Sequence, residues 1–193
     1  MPLPANPQAK LRDAIQGSRA IIVAGTGVAI AASRNPSTKK PHPQASWAGL
    51  LTSGLKWLAK QKHERGLARK AKAHLTLLKN EPKTHNFISA AQDMTTAMGG
   101  IQSKQFNDWL KDTIGTIQIH DRQILDALEA LRKHGNLLAT TNYDGLLLSN
   151  TSKLKPVTWD EPAAFLRVAR DRETDKVVFL HGYYCKPESV ILD

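Results

Sequence analysis

The feature that most restricts what this chain can fold into is a set of three short apolar runs, each stopping abruptly at a turn. They are Arg19-Ala-Ile-Ile-Val-Ala-Gly25, Asn136-Leu-Leu-Ala-Thr140 and Lys176-Val-Val-Phe-Leu180. Runs this short and evenly apolar predict strands buried on both faces, the habit of parallel sheets. Pro156–Trp159 predicts one further short strand. Between them the apolar spacing changes to that of helices. Ser46 is the predicted N-cap of a helix with Trp47, Leu50, Leu51, Leu55 and Leu58 on its core face. Glu64–Leu78, Thr84–Met98 and Ser103–Ile114 predict three more, the last two separated by Gly99-Gly100. Asp121 is the predicted cap of a helix that turns Ile124, Leu125, Leu128 and Leu131 inward and ends at Gly135, and Glu161–Arg170 reads as helical.

Strands alternating with helices predict an α/β fold: a Rossmann-like parallel sheet with flanking helices and a helical insertion over about 46–134. Residues 1–18 read as an N-terminal arm, with a loose proline-rich start and a short helix at Leu11–Gln16. The domain proper then occupies 19–193. The glycine turn after the first strand leads into a loop, Ser33–Gln44, marked by Pro36, Pro41 and Pro43. The final apolar residues, Ile191-Leu192 before Asp193, look like the start of a strand, so the domain is expected to be incomplete at the C-terminus.

With 193 residues, 41% of them hydrophobic, the chain can bury a core without cross-links. Its single cysteine, Cys185, can make neither an internal disulfide nor a four-cysteine zinc site. The longest nearly apolar stretch, Ala20–Ala32, is too short to cross a bilayer as a helix, and the first residues lack the pattern of a signal peptide. A soluble, cytoplasmic protein with no membrane partner is expected. The net charge of +10 is uneven: Lys56–Lys83 carries nine basic residues against Glu64 and Glu81. That segment is either a solvated helical face or a weak polyanion-binding patch at residues 56–83; no nucleic-acid motif accompanies it.

Each of the three apolar runs is followed by small or polar residues: Gly25-Thr26-Gly27, Thr141-Asn142-Tyr143-Asp144 and His181-Gly182. Ligands of open parallel sheets sit beyond the carboxyl ends of the strands. If the strands are parallel neighbours, all three turns open onto one crevice. Gly25 and Gly27 would let backbone N–H groups approach a phosphate, or they simply make a turn. The dehydrogenase fingerprint is broken by Ile30 and by the absence of any acidic residue between Asp13 and Glu64, and no P-loop lysine follows. His181 could act as a general base or be an ordinary hydrogen-bonded histidine. Asn142 and Asp144 either position a water or hydroxyl or serve turn chemistry alone.

These motifs carry a resemblance. Ala24-Gly25-Thr26-Gly27-Val28 resembles the glycine-alanine-glycine opening of sirtuins, Thr140-Thr141-Asn142-Tyr143-Asp144 their Thr-Gln-Asn-Ile-Asp element, and Leu180-His181-Gly182 their histidine-glycine element, in family order. Ala45-Ser46-Trp47-Ala48-Gly49-Leu50-Leu51 is similar to a segment of the divergent, zinc-free branch, which includes NAD-cleaving effectors of anti-phage systems such as Thoeris and domains of fungal multidomain proteins. The resemblance implies NAD as substrate or ligand. Gly25, Thr26 and Gly27 would hold its diphosphate, and Thr141 would lie with them in the cofactor site. Asn142 would bind the nicotinamide ribose or the attacking water, Asp144 would lie near the nicotinamide, and His181 would be the base. The zinc cysteines of the deacylases are missing, as is the Asp-Phe-Arg element, and the Gly-Thr-Ser turn of the adenosine side would fall past Asp193.

The expected function is therefore a sirtuin-like NAD+ glycohydrolase giving nicotinamide and ADP-ribose, without zinc. The alternatives are a non-catalytic NAD or ADP-ribose sensor and a basic nucleic-acid-associated module. A homo-oligomer and a downstream domain are the further partners that this reading admits.

Overall fold

A computed structural model describes residues 6–61, 65–150 and 153–192. The first prolines, Glu64 and Asp193 of the sequence reading lie outside these residues. In chain order the elements are α1 (Pro7–Gln16), β1 (Ile21–Ala24), α2 (Thr26–Ala32), α3 (Trp47–Ala59), α4 (Arg65–Asn80), α5 (Thr84–Ala97), α6 (Lys104–Ile114), α7 (Gln123–Lys133), β2 (Leu137–Thr140), β3 (Lys155–Thr158), α8 (Pro162–Asp171) and β4 (Lys176–Phe179). The fold is α/β, and the four strands form one all-parallel sheet in the order β1-β2-β4-β3. Its register sets Ala24 beside Thr140 and Thr140 beside Phe179, so the strands end together along one edge.

Alternation along the strands divides the core. Leu138, Val177 and Phe179 point to the face covered by α2 and α7, against Ala29, Ala32, Leu125 and Leu128. Leu137, Ala139 and Val178 point to the opposite face, against Val168 and Phe165 of α8. Helices α3–α6 make a separate layer around Leu50, Leu51, Met94, Phe106 and Leu110. Each fully buried leucine there contributes roughly 1.5–3 kcal/mol relative to exposure. Helix α7 packs with the sheet, so the layer of helices that stands apart from it runs from α3 to α6.

The caps follow local chemistry. Ser46 Oγ accepts from the Gly49 N–H at 3.1 Å and Ser103 Oγ from the Phe106 N–H at 3.0 Å. Asp121 Oδ1 accepts from the Gln123 N–H one residue outside the α7 cap position, and Gly135 closes that helix at φ +91°. Fully buried Asn136 ties three elements: Oδ1 accepts from Ala20 N–H, and Nδ2 donates to the carbonyls of Ile15 and Leu131.

Four expectations need correction. Strand β1 is not buried on both faces: it is an edge strand, and Ile21 and Val23 are 60% and 56% exposed because α8 reaches only the other strands of that face. The residues after Gly25 form α2, not a turn leading to a loop; their small apolar side chains carry no polar alternation to mark a helix. Helix α1 begins at Pro7, capped by Asn6, well before Leu11. Val190–Leu192 does not join the sheet: Val190 and Leu192 are buried in the α3–α6 core, and the Ile191 N–H donates to the His181 carbonyl. No helix among the described residues is long and apolar enough to cross a membrane.

Candidate functional site

The common strand edge brings the three turns together, and backbone hydrogen bonds lock them. The Thr141 N–H donates to the Ala24 carbonyl at 3.0 Å, the Leu180 N–H to the Thr140 carbonyl at 2.8 Å, and the Tyr184 N–H to the Tyr143 carbonyl at 3.0 Å. One side chain adds to this: Asn142 Nδ2 donates to the Gly25 carbonyl at 3.1 Å.

Above this edge lies a cavity of about 370 Å3, within the range of small-molecule sites. Thr26, Thr141, Asn142, Asp144 and His181 line it from the sheet side. Gly25 lies directly behind them through its bond to Asn142. Gly27 does not line the cavity, and a Cβ added there would meet nothing within 4 Å. Neither Gly25 nor Gly27 has the positive φ that only glycine takes easily, so what they offer is room.

The apolar wall comes from elsewhere in the chain. Trp47 and Leu50 of α3, Ile88 of α5, Ile114 of α6 and Leu192 face the same space. Of these, only Trp47 and Leu50 stood in a motif, the 45–51 segment, and neither was expected to line a site. The wall needs α3, α5 and α6 to pack on one another, so no local pattern marks Ile88 or Ile114 as lining. Two close approaches hold the wall to the sheet. A Cβ on Gly49 would sit 1.7 Å from the Pro43 carbonyl oxygen, so only glycine lets the 43–46 turn fold over the start of α3. Gly182, at φ +92°, would place a Cβ 2.2 Å from the Ser189 carbonyl oxygen. This glycine turns the chain directly after His181 and lets Ser189–Leu192 cross behind it. Tyr143 Oη donates to the Ile191 carbonyl at 2.7 Å and Trp159 Nε1 to the Ser189 carbonyl at 2.6 Å, fastening that crossing segment.

The polar groups differ in what they have left to offer. Asn142 is 7% exposed; its N–H donates to Thr140 Oγ1 and its Nδ2 to Gly25, yet Oδ1 is buried without a partner. A buried, unpaired acceptor costs free energy unless something donates to it. Asp144 is equally buried, and burial pushes its carboxyl up to about 6. Hydrogen bonds from the Leu146 N–H, its own N–H and the Asn142 side chain oppose this only in part. A carboxyl that changes charge close to neutrality, inside a cavity, suits acid–base or electrostatic work. His181 is exposed and stands where the cavity meets solvent. Glu161 behaves in the opposite way: bonds from Lys186 and from the Thr158 N–H and hydroxyl hold it down to about 2. It fastens the β3 end to the 183–189 loop.

Among the described residues no three His, Cys, Asp or Glu side chains converge as a metal-binding group. The arrangement is thus a largely apolar cavity lined on its sheet side by a carboxamide, a buried carboxyl and an accessible imidazole. Compared with protein-family models, curated proteins and solved structures, the chain matches none.

Proposed function

We propose that the protein is a sirtuin-like NAD+ glycohydrolase, cleaving the nicotinamide–ribose bond to release nicotinamide and ADP-ribose. The observation that carries this reading is the convergence of Thr26, Thr141, Asn142, Asp144 and His181 on one cavity, with the buried Asn142 Oδ1 left without a donor. A ribose hydroxyl or an attacking water would supply that donor once the carboxamide turns toward the cavity. The apolar lining by Trp47, Ile88 and Ile114 suits a pyridine ring, and Asp144 lines the same cavity. Thr26 lines the cavity and is exposed, and Gly27 is exposed next to it at the start of α2, where a diphosphate would lie against backbone N–H groups.

In this reading water attacks C1′ of the nicotinamide-bearing ribose. The C1′–N bond breaks, its electron pair returns to the pyridine nitrogen, and neutral nicotinamide leaves. The proton of the water passes to the His181 imidazole. Positive charge develops on the ribose as the bond breaks, and the ionised Asp144 would stabilise it through a medium from which water is largely excluded.

Nicotinamide release by the purified chain, measured for the wild type, His181→Ala and Asn142→Ala, is the test. Loss of release in both variants supports the proposal, and equal rates in all three discard it. One second reading, a non-catalytic sensor of NAD or ADP-ribose, is favoured by the exposure of His181, which leaves the candidate base in solvent and not enclosed by the cavity. Calorimetric binding of NAD with no nicotinamide released by the wild type would select it.

A further inference from the structure

The cations of two regions differ. In α6 and around α7 most are matched locally: Lys104 with Asp108, Arg122, just before α7, with Asp126, and Arg132 and Lys133 with Glu129, Lys111 being the exception. Helix α4, Arg65–Asn80, contains no acidic residue at all. None of Lys60, Arg65, Arg69 and Lys72 has an ion-pair partner among the described residues; the ion pairs on and just after α4 are His74–Asp93 and Lys83–Glu81. Those four cations border one shallow groove of about 350 Å3 where the end of α3 meets α4.

The spacing matters. Arg65 and Arg69 are four apart and Arg69 and Lys72 three apart, so like charges stand one above another on a single helix face. Such a column disfavours the helix that carries it. An ordinary solvated face, like those of α6 and α7, intersperses the signs. We propose that this groove binds the phosphate backbone of a nucleic acid, whose charges repeat along a line as these do.

Two features choose this partner over an anionic membrane. None of the described residues of 56–83 is an exposed large hydrophobic, so the face has nothing to insert among acyl chains. The cations also line a concavity rather than a flat surface. The groove has no aromatic lining among the described residues, so contact is with phosphate and not by base stacking, and recognition is independent of sequence. It lies at the opposite end of α3 from Trp47. Thirteen helical residues span roughly 20 Å, so a strand held there stays clear of the cavity above the sheet.

The experiment is a fluorescence anisotropy titration of the full chain with a labelled oligonucleotide of about 16 nucleotides, single-stranded and as a duplex. It is run from about 50 to about 200 mM salt. Four phosphate contacts predict that log K falls against log salt with a slope of about −3 on the single strand. Lys60→Glu/Arg69→Glu/Lys72→Glu should weaken binding at least about tenfold at low salt and flatten that slope by about 2. A control triple of equal charge change on α6 and α7, Lys104→Glu/Lys111→Glu/Lys133→Glu, should lose less than about threefold, because counterion release follows phosphate contacts and not net charge alone. Should the first triple fail to fold, the Gln versions of the same three positions read the slope. A salt-independent signal overturns the proposal, as does equal loss in both triples. So does binding to phosphatidylserine vesicles with none to either oligonucleotide.

Discussion

The sheet edge and the α3–α6 layer border the same cavity but bring unlike things to it. From the sheet come polar groups that follow strands directly: Thr26, Thr141, Asn142, Asp144 and His181. From the layer come Trp47, Leu50, Ile88 and Ile114, which make a wall. The sheet side has reactive groups held by short backbone links, and the layer side has shape held by a large apolar core. The comparison teaches that chemistry here is written over a few neighbouring residues, whereas the space around it depends on segments far apart in the chain.

The largest effect should separate the two sides outright. His181→Ala is expected to lower kcat for nicotinamide release by about 100- to 10,000-fold, the usual weight of a general base, with little change in thermal stability because the side chain is exposed. Trp47→Ala is expected to act mainly on KM. If both variants changed the same kinetic constant in the same proportion, the division between reactive floor and shaping wall would be lost.

Next in size is the layer's own core. Leu110→Ala removes a side chain with no exposed surface and should cost about 2–5 kcal/mol in urea unfolding. Release per folded molecule should stay near wild type. A cost below about 1 kcal/mol would mean that the layer relaxes around the gap and does not hold the wall firmly.

Asp144 supplies a third test, with a definite sign. Its native carboxyl, at about 6, holds its proton more tightly than the usual carboxyl at 3.8. Its contribution is therefore complete below about pH 4 and is lost as pH rises through 6. The loss is roughly 3 kcal/mol at about 1.36 kcal/mol per unit. Asp144→Asn should remove this slope, so the variant gains on wild type between about pH 4 and 7 in parallel denaturation curves. Glu161 runs the other way, stabilising above its usual value and releasing that support as pH falls toward 2. The Glu161 window ends at its usual value of 4.5, so the Asp144 readout is clean above that pH. Parallel curves for the two proteins across that range would remove the buried-acid argument.

The smallest expected change is at the rim. Gly27→Ala lies in α2, where alanine is favoured by about 1 kcal/mol and the added methyl meets nothing. Stability should rise slightly while the KM for NAD increases. An unchanged KM would move the diphosphate away from the start of α2.

Much of this could be read before any tertiary information. The strand runs ended where they were expected to, apart from a residue or so at each end. Ser46 capped α3 as expected, and Gly135 stopped α7 in the left-handed conformation. These features rest on contacts within a few residues. The failures share the opposite cause. Whether Ile21 and Val23 are covered depends on which strand stands at the edge and how far α8 reaches. Whether Val190–Leu192 extends the sheet or crosses behind His181 depends on Gly182, Tyr143 and Trp159 meeting it from three places.

The amino-acid order by itself determined an α/β chain with polar turns after apolar strands, and a basic segment over 56–83, because periodicity, capping and charge spacing act locally. Only the tertiary structure decided that three of those turns share one cavity, that Asn142 Oδ1 is left without a donor, and that α3, α5 and α6 close a wall around it. Burial and hydrogen-bond satisfaction belong to the packed chain as a whole, since a group's partners can come from segments more than a hundred residues away, as Gly25 and Asn142 do.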